Sequence, residues 1–154
     1  FATLSPIPGL RGWLGKQVDA LWAATPARAR QAIEKQLAAP GLTSEALMTA
    51  LDKPKALDEK TPLARWLQAA AARFLGQELA PGGRPLDAVA RFHLGNGARV
   101  ERLNWLGDPS AKGIKQSYGL MVNYLYDLKR LDKHRALLAR GKVPVSGTVQ
   151  SLLD

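Results

Sequence analysis

The tract from Asp87 to Leu128, DAVARFHLGNGARVERLNWLGDPSAKGIKQSYGLMVNYLYDL, constrains the fold most, because it joins a short helix, two glycine turns and two strands in one unit. Asp87 is placed to cap a helix whose apolar positions Val89, Phe92 and Leu94 follow near-helical spacing, and Gly95-Asn96-Gly97 ends it with residues that tolerate positive φ. A strand should follow. Arg99 to Leu106 is rich in Val, Leu and Trp, although its alternation is imperfect. Tyr118, Leu120, Val122, Tyr124 and Tyr126 alternate cleanly with Gly119, Met121, Asn123 and Leu125, which predicts a second strand over 118–126. Gly107-Asp108-Pro109-Ser110 reads as a turn, and Ala111 to Gln116 as a polar connector in which Gly113 serves as a hinge or a point of close approach.

Upstream lies a helical stretch. Thr25-Pro26 and Thr61-Pro62 each pair a capping residue with proline at the first helical position, and each opens an amphipathic pattern. In the second, Leu63, Trp66, Leu67, Ala70, Phe74, Leu75 and Leu79 form a stripe at three- and four-residue spacing, which marks core packing. Thr43 is placed to cap a shorter helix through Leu51, while Pro40-Gly41 and Pro81-Gly82-Gly83 mark loops. Toward the end, 129–140 reads as a helix stopped by Gly141, and 147–153 as another. His134, between Lys133 and Arg135, is expected on the surface.

Composition narrows the chemistry. A chain of 154 residues that is 46% hydrophobic can support one domain. No apolar run approaches the roughly 18 residues of a membrane-spanning helix, and the start lacks the basic segment and apolar core of a secretory signal, so an intracellular, cytoplasmic protein without membrane contact is expected. With no cysteine and two histidines far apart, disulfides, thiol nucleophiles and a metal site find little support. The net charge of +9 favours an anionic partner. Coenzyme A and nucleic acid would both satisfy that field, yet Arg28, Arg30, Arg65, Arg73 and Arg140 are spread over several helices rather than gathered into one stripe.

Two motifs carry a family resemblance. Ala90, Phe92 and His93, followed by glycine and a strand, resemble the closing helix of the acyl-CoA N-acyltransferase (GNAT) fold, with histidine where that fold usually has tyrosine. More closely, FHLGNGARVERLNW with SYGLMVNYLY resembles the C-terminal signature of the malonyl-CoA decarboxylases, whose catalytic domain is a modified GNAT fold. The opening FATLSPIPGLRGWL resembles a second signature of that family. The resemblance implies an α/β (α+β) architecture divided into a serine motif (1–14), a helical insertion between strands (15–85), a histidine motif with the last strands (86–128) and C-terminal helices (129–154).

It also implies an activity. The family's catalytic serine and histidine fall on Ser5 and His93, and the implied reaction is decarboxylation of malonyl-CoA to acetyl-CoA. No separate cofactor is implied, since coenzyme A arrives as part of the substrate and the thioester is the electron sink. A serine hydroxyl can orient the malonyl carboxylate or donate to the developing oxyanion, and an imidazole can return the proton. Which of the two touches the carboxylate stays open. Tyr126 and Asn123, near the apolar strands, are further candidates for contact with the malonyl group. The resemblance implies a homo-oligomer, no nucleic acid, and an upstream half of the protein that carries the coenzyme A phosphate loop, since no such glycine loop stands here. FATL then reads as the end of a strand with no partner nearby in sequence, which leaves an open edge. An acyl-CoA N-acyltransferase and a basic helical binding module are the alternatives; product analysis and salt-dependent binding to duplexes would separate them.

Overall fold

A computed structural model describes Phe1–Asp154. β1 (Ala2–Ser5) opens the chain, and four helices follow: α1 (Leu10–Ala24), α2 (Ala27–Leu37), α3 (Ser44–Leu51) and, after a 3₁₀ turn at Pro54–Ala56, α4 (Pro62–Gly76). The remainder alternates helix and strand: α5 (Ala88–Gly95), β2 (Arg99–Asn104), α6 (Ala111–Ser117), β3 (Met121–Leu125), α7 (Leu131–Ala139) and α8 (Gly147–Leu153). The three strands form one antiparallel sheet in the order β1-β3-β2, so β3, the last strand, sits between the other two. Ser5 pairs with Val122 and Thr3 with Tyr124. No helix is long and apolar enough to cross a membrane.

Pattern explains most of the helical half. Thr61 accepts a hydrogen bond from Ala64 N and Pro62 occupies the first turn of α4, whose Leu63, Leu67, Ala70, Phe74 and Leu75 enter the core as their spacing predicts. Trp66 is half-buried, and Leu79 lies beyond the helix in a bridge to Pro85. Thr43 caps α3 through Ala46 N. These helices share one continuous core with the inner face of the sheet, where Val100, Leu103, Val122 and Tyr124 are buried.

Five expectations are corrected. Ala111 to Gln116 is not a connector but α6, capped by Ser110 through Gly113 N. Gly113 is a point of close approach: a Cβ there would collide with Asp108. The strand expected from Tyr118 begins only at Met121, because Tyr118 takes a left-handed conformation (φ 58°) as it ends α6 and Gly119 (φ 81°) continues the turn. β2 stops at Asn104 rather than Leu106, whose own φ is 49°. Thr25 does not cap α2; its hydroxyl donates to Leu21 O (2.7 Å) and accepts from Trp66 Nε1 (3.0 Å), which ties α1 to α4. His134 is not on the surface. It is 5% exposed, with Nδ1 2.9 Å from Gly97 O, because α7 lays it against the end of α5.

Candidate active site

Ser5 ends β1 because Pro6 removes the next ladder donor, and Ile7 and Leu10, both fully buried, anchor the turn into α1. Alternation puts Thr3 and Ser5 on the same face as their partners Tyr124 and Val122. That face is covered by α5. Asp87 caps α5 through Ala90 N (3.0 Å), Ala90 and Leu94 pack inward, and His93 between them leans over the strand ends. The helix stops within one turn of His93, whose carbonyl accepts from Asn96 N and Ala98 N. Gly97 (φ 92°) makes the exit, passing so close to Leu131 that a Cβ would lie 2.8 Å from its carbonyl oxygen.

The two halves therefore meet. Ser5 Oγ lies 3.4 Å from His93 Nε2, and the other ring nitrogen, Nδ1, lies 2.5 Å from Tyr126 Oη. The imidazole stacks on Tyr124 (centroids 4.7 Å, 24° between planes), with the Tyr126 and Phe92 rings edge-on to it. Phe1 extends the aromatic cluster, its ring 5.3 Å from that of Tyr126. Ser5 is 6% exposed, whereas His93 and Tyr126 are half-buried. Ser5 is thus sheltered, while the imidazole and the phenol keep part of their surface in solvent.

Electrostatics follow from that shelter. Burial pushes the His93 imidazole below its ordinary 6.5, which favours the neutral ring. Burial also raises the Tyr126 phenol above 10.0, with the Asn96 side chain pulling the other way, and raises Tyr124 strongly, reinforced by the charge of Asp87. Both phenols stay protonated through the neutral range. No cluster of three or more His, Cys, Asp or Glu side chains is placed to hold a metal.

Of the four residues singled out in the sequence, Ser5, His93 and Tyr126 converge and Asn123 does not. Asn123 alternates to the opposite face, where its amide accepts from Asn104 Nδ2 and donates to Thr3 O, both at 2.9 Å, and stitches the three strands together. Tyr124 stacks on the imidazole and Asp87 caps the helix that carries it, and the sequence singles out neither as a site residue. Tyr124 reads in the sequence as one more strand residue, and Asp87 as a cap alone. A cavity of about 630 Å³ lies elsewhere, among α1, α2, α4 and α8, lined by Leu21, Ile33, Trp66 and Leu153 with Lys60 and Arg65.

The family model described as malonyl-CoA decarboxylase C-terminal domain matches residues 1–154, the whole chain. The chain belongs to the malonyl-CoA decarboxylase family. Mitochondrial malonyl-CoA decarboxylases of Anser anser anser and Rattus norvegicus are each 35% identical over 84% of the chain. Among solved structures, the malonyl-CoA decarboxylase of Cupriavidus metallidurans superposes with a TM-score of 0.83 at 41% identity over 99% of the chain, and that of Agrobacterium vitis with 0.75 at 41% over 100%. The chain spans 27% of the length of these curated relatives, and 38% and 35% of those two structures.

Proposed function

We propose that this segment supplies the Ser/His half of a site that decarboxylates malonyl-CoA to acetyl-CoA and carbon dioxide. The observation that carries the reading is the 3.4 Å approach of Ser5 Oγ to His93 Nε2 from positions 88 residues apart. The names of the relatives support the substrate, and the α5-to-β2 order supports a GNAT-like layout.

The chemistry needs an electron sink and a proton. Cleavage of the carbon–carbon bond releases carbon dioxide and leaves its electron pair in the thioester as an enolate, so coenzyme A enters as part of the substrate and no separate cofactor is called for. Ser5 hydrogen-bonds the malonyl group and holds it against His93. His93 works as the neutral imidazole that its burial favours. A Tyr126 phenol donating to Nδ1 leaves the ring proton on Nε2, facing Ser5 and the malonyl group. Nε2 gives that proton to the enolate carbon while Nδ1 takes the phenol proton; Nδ1 then hands it back to the phenolate as Nε2 takes a proton from water, whose hydroxide leaves to solvent, so ring and phenol return to their starting forms. Positioned proton transfer of this kind contributes about 10² to 10⁴ in rate.

The test uses the whole protein that carries this segment, incubated with malonyl-CoA, with acetyl-CoA and carbon dioxide both quantified. Stoichiometric release of the two is expected, and acetyl-CoA binding measured by calorimetry should survive His93→Asn while turnover collapses. An acylated amine as product, or near-normal turnover by His93→Asn, overturns the reading.

A further inference from the structure

Ser5 and His93 lie on separate elements, and one side chain joins the bases of both. Asp87, 1% exposed, accepts from Ala90 N with Oδ2 (3.0 Å) and from Gly9 N with Oδ1 (2.8 Å). Ala90 N belongs to the first turn of α5, three residues before His93. Gly9 is the residue at the head of α1, four beyond Ser5, and α1 has no side-chain cap of its own. One carboxylate therefore satisfies a free amide at the start of two helices, and the positive ends of both helix dipoles face it. It forms no ion pair within the chain, so this double N-terminal setting is what holds the buried charge.

The connection is also stiff. Between Ser5 and Gly9 stand Pro6 and Pro8, with fixed φ, and Ile7, fully buried. Gly9 is held close: a Cβ there would lie 3.1 Å from Asp87 Oδ1 and 3.1 Å from Phe74 Cζ. On the other side, His93 follows Asp87 by less than two turns of capped helix. A displacement of either oxygen moves one member of the pair relative to the other.

We propose that Asp87 is the positioning residue for the Ser5–His93 pair, setting their separation by capping α5 with one oxygen and holding the head of α1 with the other. This rests on the reading of Ser5 and His93 as the reacting pair. Its distinctive consequence is that the second oxygen serves geometry. Ser and Asn cap helices about as well as Asp, so Asp87→Ser and Asp87→Asn retain the bond to Ala90 N and lose the one to Gly9.

The experiment is a double-mutant cycle in the whole protein: Asp87→Ser and Asp87→Asn, each alone and combined with Ser5→Ala, with kcat and KM for malonyl-CoA and thermal unfolding recorded for every variant. Each Asp87 substitution alone should lower kcat about tenfold with KM within about twofold, since small misplacements act on the chemical step. With Ser5→Ala present the same substitution should cost less than about threefold, because the geometry it disturbs no longer matters. A merely structural role predicts equal losses in both backgrounds. Equal losses, an unchanged kcat, or failure of the well-capped Asp87→Ser to fold would each overturn the positioning role. If Ser5→Ala alone turns over normally, the pair reading fails and takes this proposal with it; a crippled Ser5→Ala beside a fully active Asp87→Ser sinks the positioning role only.

Discussion

The helical stretch from α1 to α4 and the sheet face beneath α5 are built on different logic. In α4, the residues that matter repeat at helical spacing and pack as one stripe, so each contact is implied by neighbours three or four positions away. Beneath α5, the critical approaches join residues remote in sequence: Ser5 to His93, His93 to Tyr126 and Gly9 to Asp87. The first region spends its side chains on burial. The second leaves a half-buried imidazole, two aromatic rings and a serine hydroxyl facing one another, which is costly to stability and useful to chemistry. Stability and activity should therefore separate cleanly between the two.

Leu67→Ala offers the largest effect. Leu67 is fully buried in the middle of α4, so its truncation should lower unfolding free energy by about 2–5 kcal/mol through lost transfer and a residual cavity. Denaturant unfolding checks this, and kcat per folded molecule should not change. A fall in kcat at full folding would break the separation of the two regions.

His93→Asn should do the reverse. Turnover is expected to fall by about 10² or more, equivalent to about 2.7 kcal/mol of activation free energy, while thermal stability shifts little because the ring is only half-buried. The pH profile sharpens the point. In the proposed mechanism His93 acts as the neutral ring, and burial holds its pKa below 6.5, so kcat/KM should be level above neutrality and decline as pH falls through that lowered value, by up to about tenfold per unit. The same sign governs stability: below 6.5 the unfolded chain binds the proton more readily than the folded one, so protonation favours unfolding as pH drops. A profile that instead rises toward acid would show that the imidazolium is the working form.

These contrasts also explain what could be read without coordinates. The α4 stripe, its Thr61 cap and the Asp87 cap carry their signal within a few residues, and the structure reproduces them. α6 escaped because its seven residues, AKGIKQS, contain a glycine and too few apolar positions to show a period. His134 escaped because the charged residues flanking it face water while the packing of α7 on α5 turns its own ring inward. Thr25-Pro26 has the same local chemistry as Thr61-Pro62, yet the partner that redirects the Thr25 hydroxyl, Trp66, is far along the chain. Ser5 and His93 were located by the resemblance of their motifs, since nothing local distinguishes them from a strand corner and a packed histidine. Asn123 could have been set aside by alternation alone, because it stands one residue out of phase with Tyr124 and Tyr126.

Tyr126→Phe is the next effect down. It keeps the ring that packs against Phe1 and His93 but removes the hydroxyl 2.5 Å from Nδ1, and with it the assignment of the ring proton to Nε2. A loss of about tenfold in kcat is expected, at the low end of what proton-transfer partners contribute, with KM little changed. Steady-state kinetics decide it; full activity would remove Tyr126 from the proton path and leave it as a wall of the site.

The smallest effect separates two caps of the same local design. Thr43 caps α3 through Ala46 N in the helical stretch, and Asp87 caps α5 through Ala90 N beside the site. Each fills one vacant amide at a helix start, but only Asp87 has a second oxygen occupied by another element, at Gly9. Thr43→Ala should thus cost about 1 kcal/mol of stability, the ordinary value of an N-cap, and leave kcat untouched. Asp87→Ser should instead lower kcat about tenfold, since serine preserves the cap while the link to Gly9 is lost. Measured side by side by urea unfolding and kcat, the pair asks whether a cap's role is set by its helix or by where the other end of its side chain lands. A Thr43→Ala variant with reduced kcat would mean that α3 communicates with the Ser5–His93 pair across α1, and the division between a packing region and a reacting region would have to be redrawn.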